Sequence, residues 1–287
     1  MVGDDLEGRV NSWSVISDQL SEMKQGINLR PVIAFALICV ALAVLWESIK
    51  LIFKVSDVKL PHLTTIAMAF VNPFRRGGLP VWWVLTQNAI VTMRGAISGF
   101  VVGALFGFFL GAALAHSPLL ERGLVPYVVA SQTVPILAIA PMLVIWLNNA
   151  YATVAILAAY LTFFPVTINT LRGLKSPDPH ALELMRSYAA NKWETLWKLR
   201  FPSALPYIFT ALKISATASV VGAIVGELPS SESGGLGRAI LTANQYSATS
   251  PENLWAAIII TALVGILFFI VVSVAERVAL RNIVRVI

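Results

Sequence analysis

Charge is sparse in this chain, and that absence excludes most of what a protein of this length could be. Only 13% of the 287 residues are charged and 57% are hydrophobic. Soluble domains carry about 25% charged residues, so a water-soluble fold of this size could not cover its surface. Cysteine is nearly missing. Cys39, the one example, lies inside the first apolar block; this excludes a disulfide framework and a cysteine metal site, and the residue reads as a small buried hydrophobe. The three histidines, His62, His116 and His180, fall in different segments without ligand spacing, so no metal site is expected. No G-x4-G-K-[ST] phosphate loop occurs, so the chain does not cradle ATP in that manner. The residue clusters that a membrane enzyme would need are missing as well.

What is present is apolar sequence in blocks of spanning length, and about 20 such residues cross the hydrocarbon as a helix. The expected fold is an all-α polytopic membrane protein of about six transmembrane helices, near 31–53, 90–115, 124–147, 150–171, 202–226 and 253–275. Together they make one membrane domain over 31–276. The first block follows a polar stretch, 1–30, so it does not look like a cleaved signal peptide and is expected to stay as an anchor. Trp13, Ile16, Leu20 and Met23 in that stretch fall at helical spacing, which permits an interfacial helix, with a frayed tail as the alternative. Between 54 and 88, prolines, glycines and the pair Trp82–Trp83 read as a loop with a short surface helix at headgroup level.

A net charge of +6 could suggest nucleic acid, but the basic residues sit between apolar blocks and near the C-terminus. Lysine and arginine number 13 on the side holding the N-terminus, the Arg172–Arg200 loop and the tail 277–287, and 5 on the other side. The basic side is expected to be cytoplasmic, with both termini there. No nucleic-acid partner is expected.

Within the spans, Gly95, Gly99, Gly103, Gly107 and Gly111 recur at every fourth position of span two. They form a stripe along which another helix can approach closely. Span three holds Pro126, Pro135 and Pro141 with Ser131, Gln132 and Thr133. Proline frees carbonyls that need protein or water partners in a membrane. Ser131, Gln132, Thr133, Pro135 and Pro141 are therefore placed along a translocation pathway, with a kinked structural helix as the alternative. Asn148–Asn149 supplies the turn between spans three and four. Lys213, about two turns into span five, is expected to snorkel. Glu227 closes span five at the opposite surface, where an exposed carboxylate costs little; it is kept as a pathway candidate.

The connector 172–201 differs from the others. Asp178–Pro179 is a helix start, with Asp as N-cap and Pro in the first turn. Asn191 and Glu194 have the spacing of a capping box. Two short helices joined near Ala189 to Asn191 are expected, the second with Trp193, Leu196 and Trp197 on its apolar side. A compact knob with exposed apolar residues is a docking element of the helix-in-groove type; a surface-lying amphipathic hairpin is the alternative.

The run Glu183-Leu184-Met185, three residues, Ala189, nine residues, Leu199-x-Phe201-Pro202 is similar to the loop by which ATP-binding-cassette (ABC) importer permeases engage their ATPases. That loop is written EAA, x3, G, x9, I-x-L-P. The spacing, the glutamate and the proline are identical; alanine replaces the turn glycine, a position where a positive φ disfavours alanine. SQTVPILAIAPMLVIW, FFPVTINTLRGL, and Gly226–Glu227 followed by GGLGRAI resemble the nitrate, sulfonate, taurine and bicarbonate class of these permeases. The first stretch is also similar to members that carry pyrimidine precursors of thiamine, or riboflavin.

The resemblance implies a type I importer permease in the inner membrane of a prokaryote, with no cofactor of its own. Two ATPase subunits would hold ATP and Mg, a second copy of the chain would complete a homodimer, and an extracytoplasmic binding protein would deliver the solute. Glu183, Leu184, Met185, Ala189, Leu199, Phe201 and Pro202 would couple the chain to the ATPase. An ion-coupled secondary transporter is the alternative function; that class shows internal repeats and charges near the midplane.

Overall fold

Helices account for nearly all of the backbone in the computed structural model, which describes residues 30–73, 78–230 and 234–284. Among these residues there is no β-strand, only an isolated bridge between Pro73 and Pro80. The N-terminal stretch proposed as an interfacial helix lies outside the described residues. Helix α1, Arg30–Phe53, belongs to a separate unit ending at Ser56. Cys39 is exposed on it, not buried as its small apolar side chain suggested.

The second unit, from Asp57, begins with the short α2, Leu63–Val71, followed by α3, Val81–His116. Helix α3 starts nine residues before the expected position, so Trp82 and Trp83 occupy its first turn and not a loop. Next come α4, Pro118–Ser131, α5, Ile136–Leu147, and α6, Ala150–Leu174. The two short helices α7, Pro179–Ser187, and α8, Lys192–Thr195, lead through a π-helical turn, Leu196–Arg200, into α9, Phe201–Glu227. Helices α10, Leu236–Gln245, and α11, Pro251–Val284, complete the chain. Among the described residues five helices are long and apolar enough to cross a membrane, or six if the bent pair α4–α5 is counted as one span.

Span three is where the fold departs most from expectation. It is not one kinked helix but two arms of 14 and 12 residues meeting at 90°, each too short to cross alone. The first arm stops at Ser131 and the second is opened by Pro135; Val134, the residue before that proline, disfavours the α conformation, so the helix does not run on through it. Tyr160, from α6, donates its hydroxyl to the carbonyl of Ser131, so a backbone acceptor at the bend finds a partner inside the protein. The turn after α5 follows the asparagine reading. Asn148 adopts the left-handed region at φ 43°, which asparagine tolerates, and Asn149 caps α6 by accepting from Ala152 N at 3.0 Å.

Helix α6 is the central element, with α3 on one side and α9 on the other. The α3 glycines lie against it in parallel register, from Gly95 on Val154 to Gly111 on Thr167 and Thr170. A methyl group at Gly103 would stand 2.5 Å from the Ala159 carbonyl oxygen. Helix α9 runs the opposite way, with Gly226 on Val154, Gly222 on Leu157 and Ala158, and Gly173 of α6 on Ala204. Small residues replace hydrophobic drive with close backbone packing. Threonines on the buried face of α6 return their hydroxyls to their own helix, Thr162 to Ala158 O and Thr167 to Phe163 O, both at 2.8 Å.

Helix α11 packs outside α3 and α9, with Phe268 edge-on to Phe100 at 5.1 Å. It continues past the expected end at 275, which puts Glu276 2.7 Å from Lys213 Nζ. Lys213 therefore forms an ion pair between helices where a solvent-seeking snorkel was expected.

Candidate functional site

One end of the second unit carries the connector singled out in the sequence. Asp178 accepts from His180 N at 2.7 Å and caps α7, with Pro179 in its first turn. The helix ends in a Schellman arrangement, with Ala190 N donating to Met185 O at 3.0 Å and Ala189 N to Arg186 O at 2.9 Å. Ala189 is the residue forced into the left-handed region, at φ 52°. The capping box that follows is complete, Glu194 N to Asn191 Oδ1 at 2.8 Å and Asn191 N to Glu194 Oε2 at 2.9 Å.

The second short helix is not separate, however. It continues through the π-helical turn into α9, giving one helical element over Lys192–Glu227. Leu196 turns inward to the cluster of Leu114, Leu171 and Ile208, while Trp193 and Trp197 stay exposed.

Glu183, Leu184 and Ala189 are exposed and Met185 half-buried. Leu199, Phe201 and Pro202 are half-buried at the root of α9, where Phe201 packs on Trp197 at 5.2 Å and on Phe108 at 6.4 Å. The connector thus places Glu183, Leu184 and Tyr188 outward on a capped helix and keeps its last three motif residues at the base. Because left-handed alanine costs roughly 1–2 kcal/mol, Ala189→Gly is expected to stabilise the α7–α8 turn by about 1 kcal/mol. Slower amide exchange at Ala190 would show it.

The opposite end holds the largest correction. Glu227 is 1% exposed, although a carboxylate at the end of a span was expected to face water. The glycines of GGLG explain it. Gly237 N donates to Glu227 Oε2 at 2.7 Å, and the Thr92 side chain also hydrogen-bonds the carboxylate. Leu236 N donates to Thr92 Oγ1 at 2.8 Å and Gly235 N to Asn88 Oδ1 at 2.9 Å. Three successive backbone N–H groups opening α10 each meet a side-chain acceptor, satisfying a helix end that would otherwise be orphaned. Gly235, at φ 133°, passes so close that a Cβ would collide with the carboxylate.

Asn88 and Thr92 were not identified from the sequence. The signal was there, two polar residues at i,i+4 in an apolar helix. Glu227→Ala is expected to cost about 1–3 kcal/mol by stranding a buried N–H, visible as a lower melting temperature and faster exchange at Gly237. Glu227→Gln keeps an acceptor and should lose less.

The pathway candidates are not gathered into one place. Ser131, Gln132, Thr133 and Pro135 form the bend, where Ser131 Oγ and Thr133 Oγ1 return to Val128 O and Ala130 O at 2.7 Å. Pro141 is exposed within α5. Of the pathway candidates only Glu227 lines the cavity of about 390 Å³ at this end, together with Asn148, Asn149 and Tyr151. Among the described residues no group of His, Cys, Asp or Glu could hold a metal ion.

A profile of binding-protein-dependent transport system inner membrane components matches residues 103–282, from the glycine stripe through the α7–α8 connector to α11. The chain belongs to that family. Formylaminopyrimidine transport permease protein ThiX of Halalkalibacterium halodurans is 34% identical over 183 residues, 63% of this chain and 72% of that protein. Riboflavin transport system permease protein RibX of Chloroflexus aurantiacus is 27% identical over 251 residues, 88% and 90% of the two chains.

Among solved structures, an amino acid ABC transporter aligns with a TM-score of 0.56 at 18% identity, over 68% of this chain and 93% of that one. The MetNI methionine ABC transporter aligns at 0.55 and 17% identity, over 68% and 96%. The fold is that of these importer permeases, and the chain is a multi-pass inner-membrane permease subunit of an ABC importer.

Proposed function

We propose that two copies of this chain line the import pathway for a small solute and are driven by ATPase subunits that grip α7. The observation that carries this reading is the α7–α8 element. A helix capped at both ends presents Glu183 and Leu184 outward, followed by Ala189 at the spacing of the family's ATPase-docking loop, with Tyr188 exposed beside them. The basic end is cytoplasmic in this reading, with both termini there. Two ATPases hold the ATP and Mg, and an extracytoplasmic binding protein meets the Glu227 end. Support for the solute comes from the relatives, and ThiX and RibX point to a small heterocycle over nitrate, taurine or a sulfonate.

The continuous helix from Lys192 to Glu227 gives the mechanism a lever. Its 36 residues span about 54 Å at 1.5 Å per residue. Closure of the ATPases displaces α7 and α8, and the rigid rod carries that displacement to Glu227 and the opening of α10, a rigid-body switch between outward- and inward-open states. Reconstitution with the ATPase and binding protein in liposomes tests the reading. Solute should accumulate in the lumen only when the α7 side and ATP are both inside and the binding protein is outside; uptake driven by an ion gradient without ATPase would favour a secondary transporter and overturn it.

A further inference from the structure

At the α7 end, four basic side chains line one cavity of about 510 Å³: His116 at the end of α3, Arg186 on α7, Lys192 opening α8, and Arg200 closing the π-helical turn. No carboxylate lines it. The acidic side chains nearby are engaged elsewhere. Asp178 caps α7, Glu183 lies 3.8 Å from His180, Glu194 closes the capping box and faces Lys198 at 3.4 Å, and Glu121 pairs with Lys175. Among the described residues Arg186, Lys192 and Arg200 have no carboxylate within ion-pair distance. His116 Nδ1 is tied to Ala112 O at 2.8 Å, so the cations left to meet a ligand are Arg186, Lys192 and Arg200. Cations held around a common void repel one another, and an anion of matching size relieves that.

The position within the fold indicates which anion. The cavity lies where the apolar spans α3 and α9 end, and the residues next to its lining are Trp193, Trp197 and Leu119, 68%, 58% and 82% exposed. Exposed tryptophans at the end of a span sit at headgroup depth. We propose that this cavity binds the phosphodiester of an anionic phospholipid, with Arg186 and Arg200 supplying planar guanidinium forks and Lys192 a point charge. The exposed apolar side chains beside it receive the acyl chains. The bound lipid would wedge between α7 and the ends of α3 and α9, so that lipid charge tunes how firmly the docking element is seated. Only the leaflet concerned rests on the orientation proposed above; the site itself does not.

The full chain, purified in detergent and equilibrated with mixed phosphatidylglycerol and phosphatidylcholine micelles, should retain phosphatidylglycerol selectively by native mass spectrometry. Arg186→Gln with Arg200→Gln should reduce that retention by at least about tenfold, whereas Arg238→Gln, near the start of α10, should not. Arg200→Lys, which keeps charge but loses the fork, should fall between, and it serves if the double variant does not fold. Inorganic phosphate alone should compete only weakly. Equal retention in wild type and double variant overturns the proposal, as does tight binding of inorganic phosphate without selection for phosphatidylglycerol. Loss of ATPase co-purification with lipid retention unchanged also overturns it; the cations would then await an acidic partner surface, and the permease reading would stand.

Discussion

Gly103→Val is expected to leave little stably folded protein. The Cβ it introduces would lie 2.5 Å from the Ala159 carbonyl oxygen and 2.9 Å from the Ala159 Cα. These are backbone atoms that cannot rotate away, so α3 and α6 would have to separate. Overpacking of this kind costs about 1–3 kcal/mol, and the neighbouring contacts at Gly99 and Gly107 share the same seam. The fraction recovered as a monodisperse peak in detergent should fall several-fold, with a clear drop in melting temperature. Gly123→Ala and Gly265→Ala provide the control: nothing lies within 4 Å of either added methyl, and alanine gains about 1 kcal/mol of helix propensity. A Gly103→Val chain as stable as these controls would mean that α3 does not pack on α6 in this way.

Glu183→Lys should have the opposite profile, a folded and inserted protein that no longer transports. Glu183 is exposed and the one ionisable side chain within 4 Å of its carboxylate among the described residues is His180 at 3.8 Å, so stability should change by no more than about 0.5 kcal/mol. If α7 enters a groove on an ATPase, reversing this charge should reduce ATPase co-purification by about tenfold or more, roughly 1.4 kcal/mol, and abolish ATP-dependent uptake. Ala189→Asp makes the same point at the junction. Aspartate tolerates the left-handed conformation that Ala189 holds, so the turn survives while a charge enters the docking surface. Retained uptake in both variants would separate this element from energy coupling.

Local rules explain what was readable in advance. The Asp178–Pro179 start, the Asn191–Glu194 box and the asparagine turn at 148–149 depend on residues within a few positions of one another, and each closes as its spacing implied. The glycine stripe showed that α3 has a close-packing face, though not which helix fills it. The burial of Glu227 was not readable, because it depends on Gly237 folding back across a turn and on Thr92, which lies more than a hundred residues earlier in the chain. The same applies to the caps that Asn88 and Thr92 give α10. At span three the prolines announced a disturbance, but hydropathy carries no direction, and a 90° bend has the same composition as a kink. The fusion of α8 with α9 was hidden for a similar reason: a capping box marks where a helix begins and says nothing of where it stops.

Labelling of Leu184, 57% exposed near the middle of α7, tests most directly whether force enters through this helix. A single cysteine there, in a Cys39→Ser background, would be treated with an impermeant maleimide in inside-out and right-side-out vesicles, with and without the ATPase. The account predicts labelling only from the cytoplasmic face and strong protection once the ATPase is bound. Labelling from outside the cell, or cytoplasmic labelling that the ATPase leaves unchanged, would contradict it.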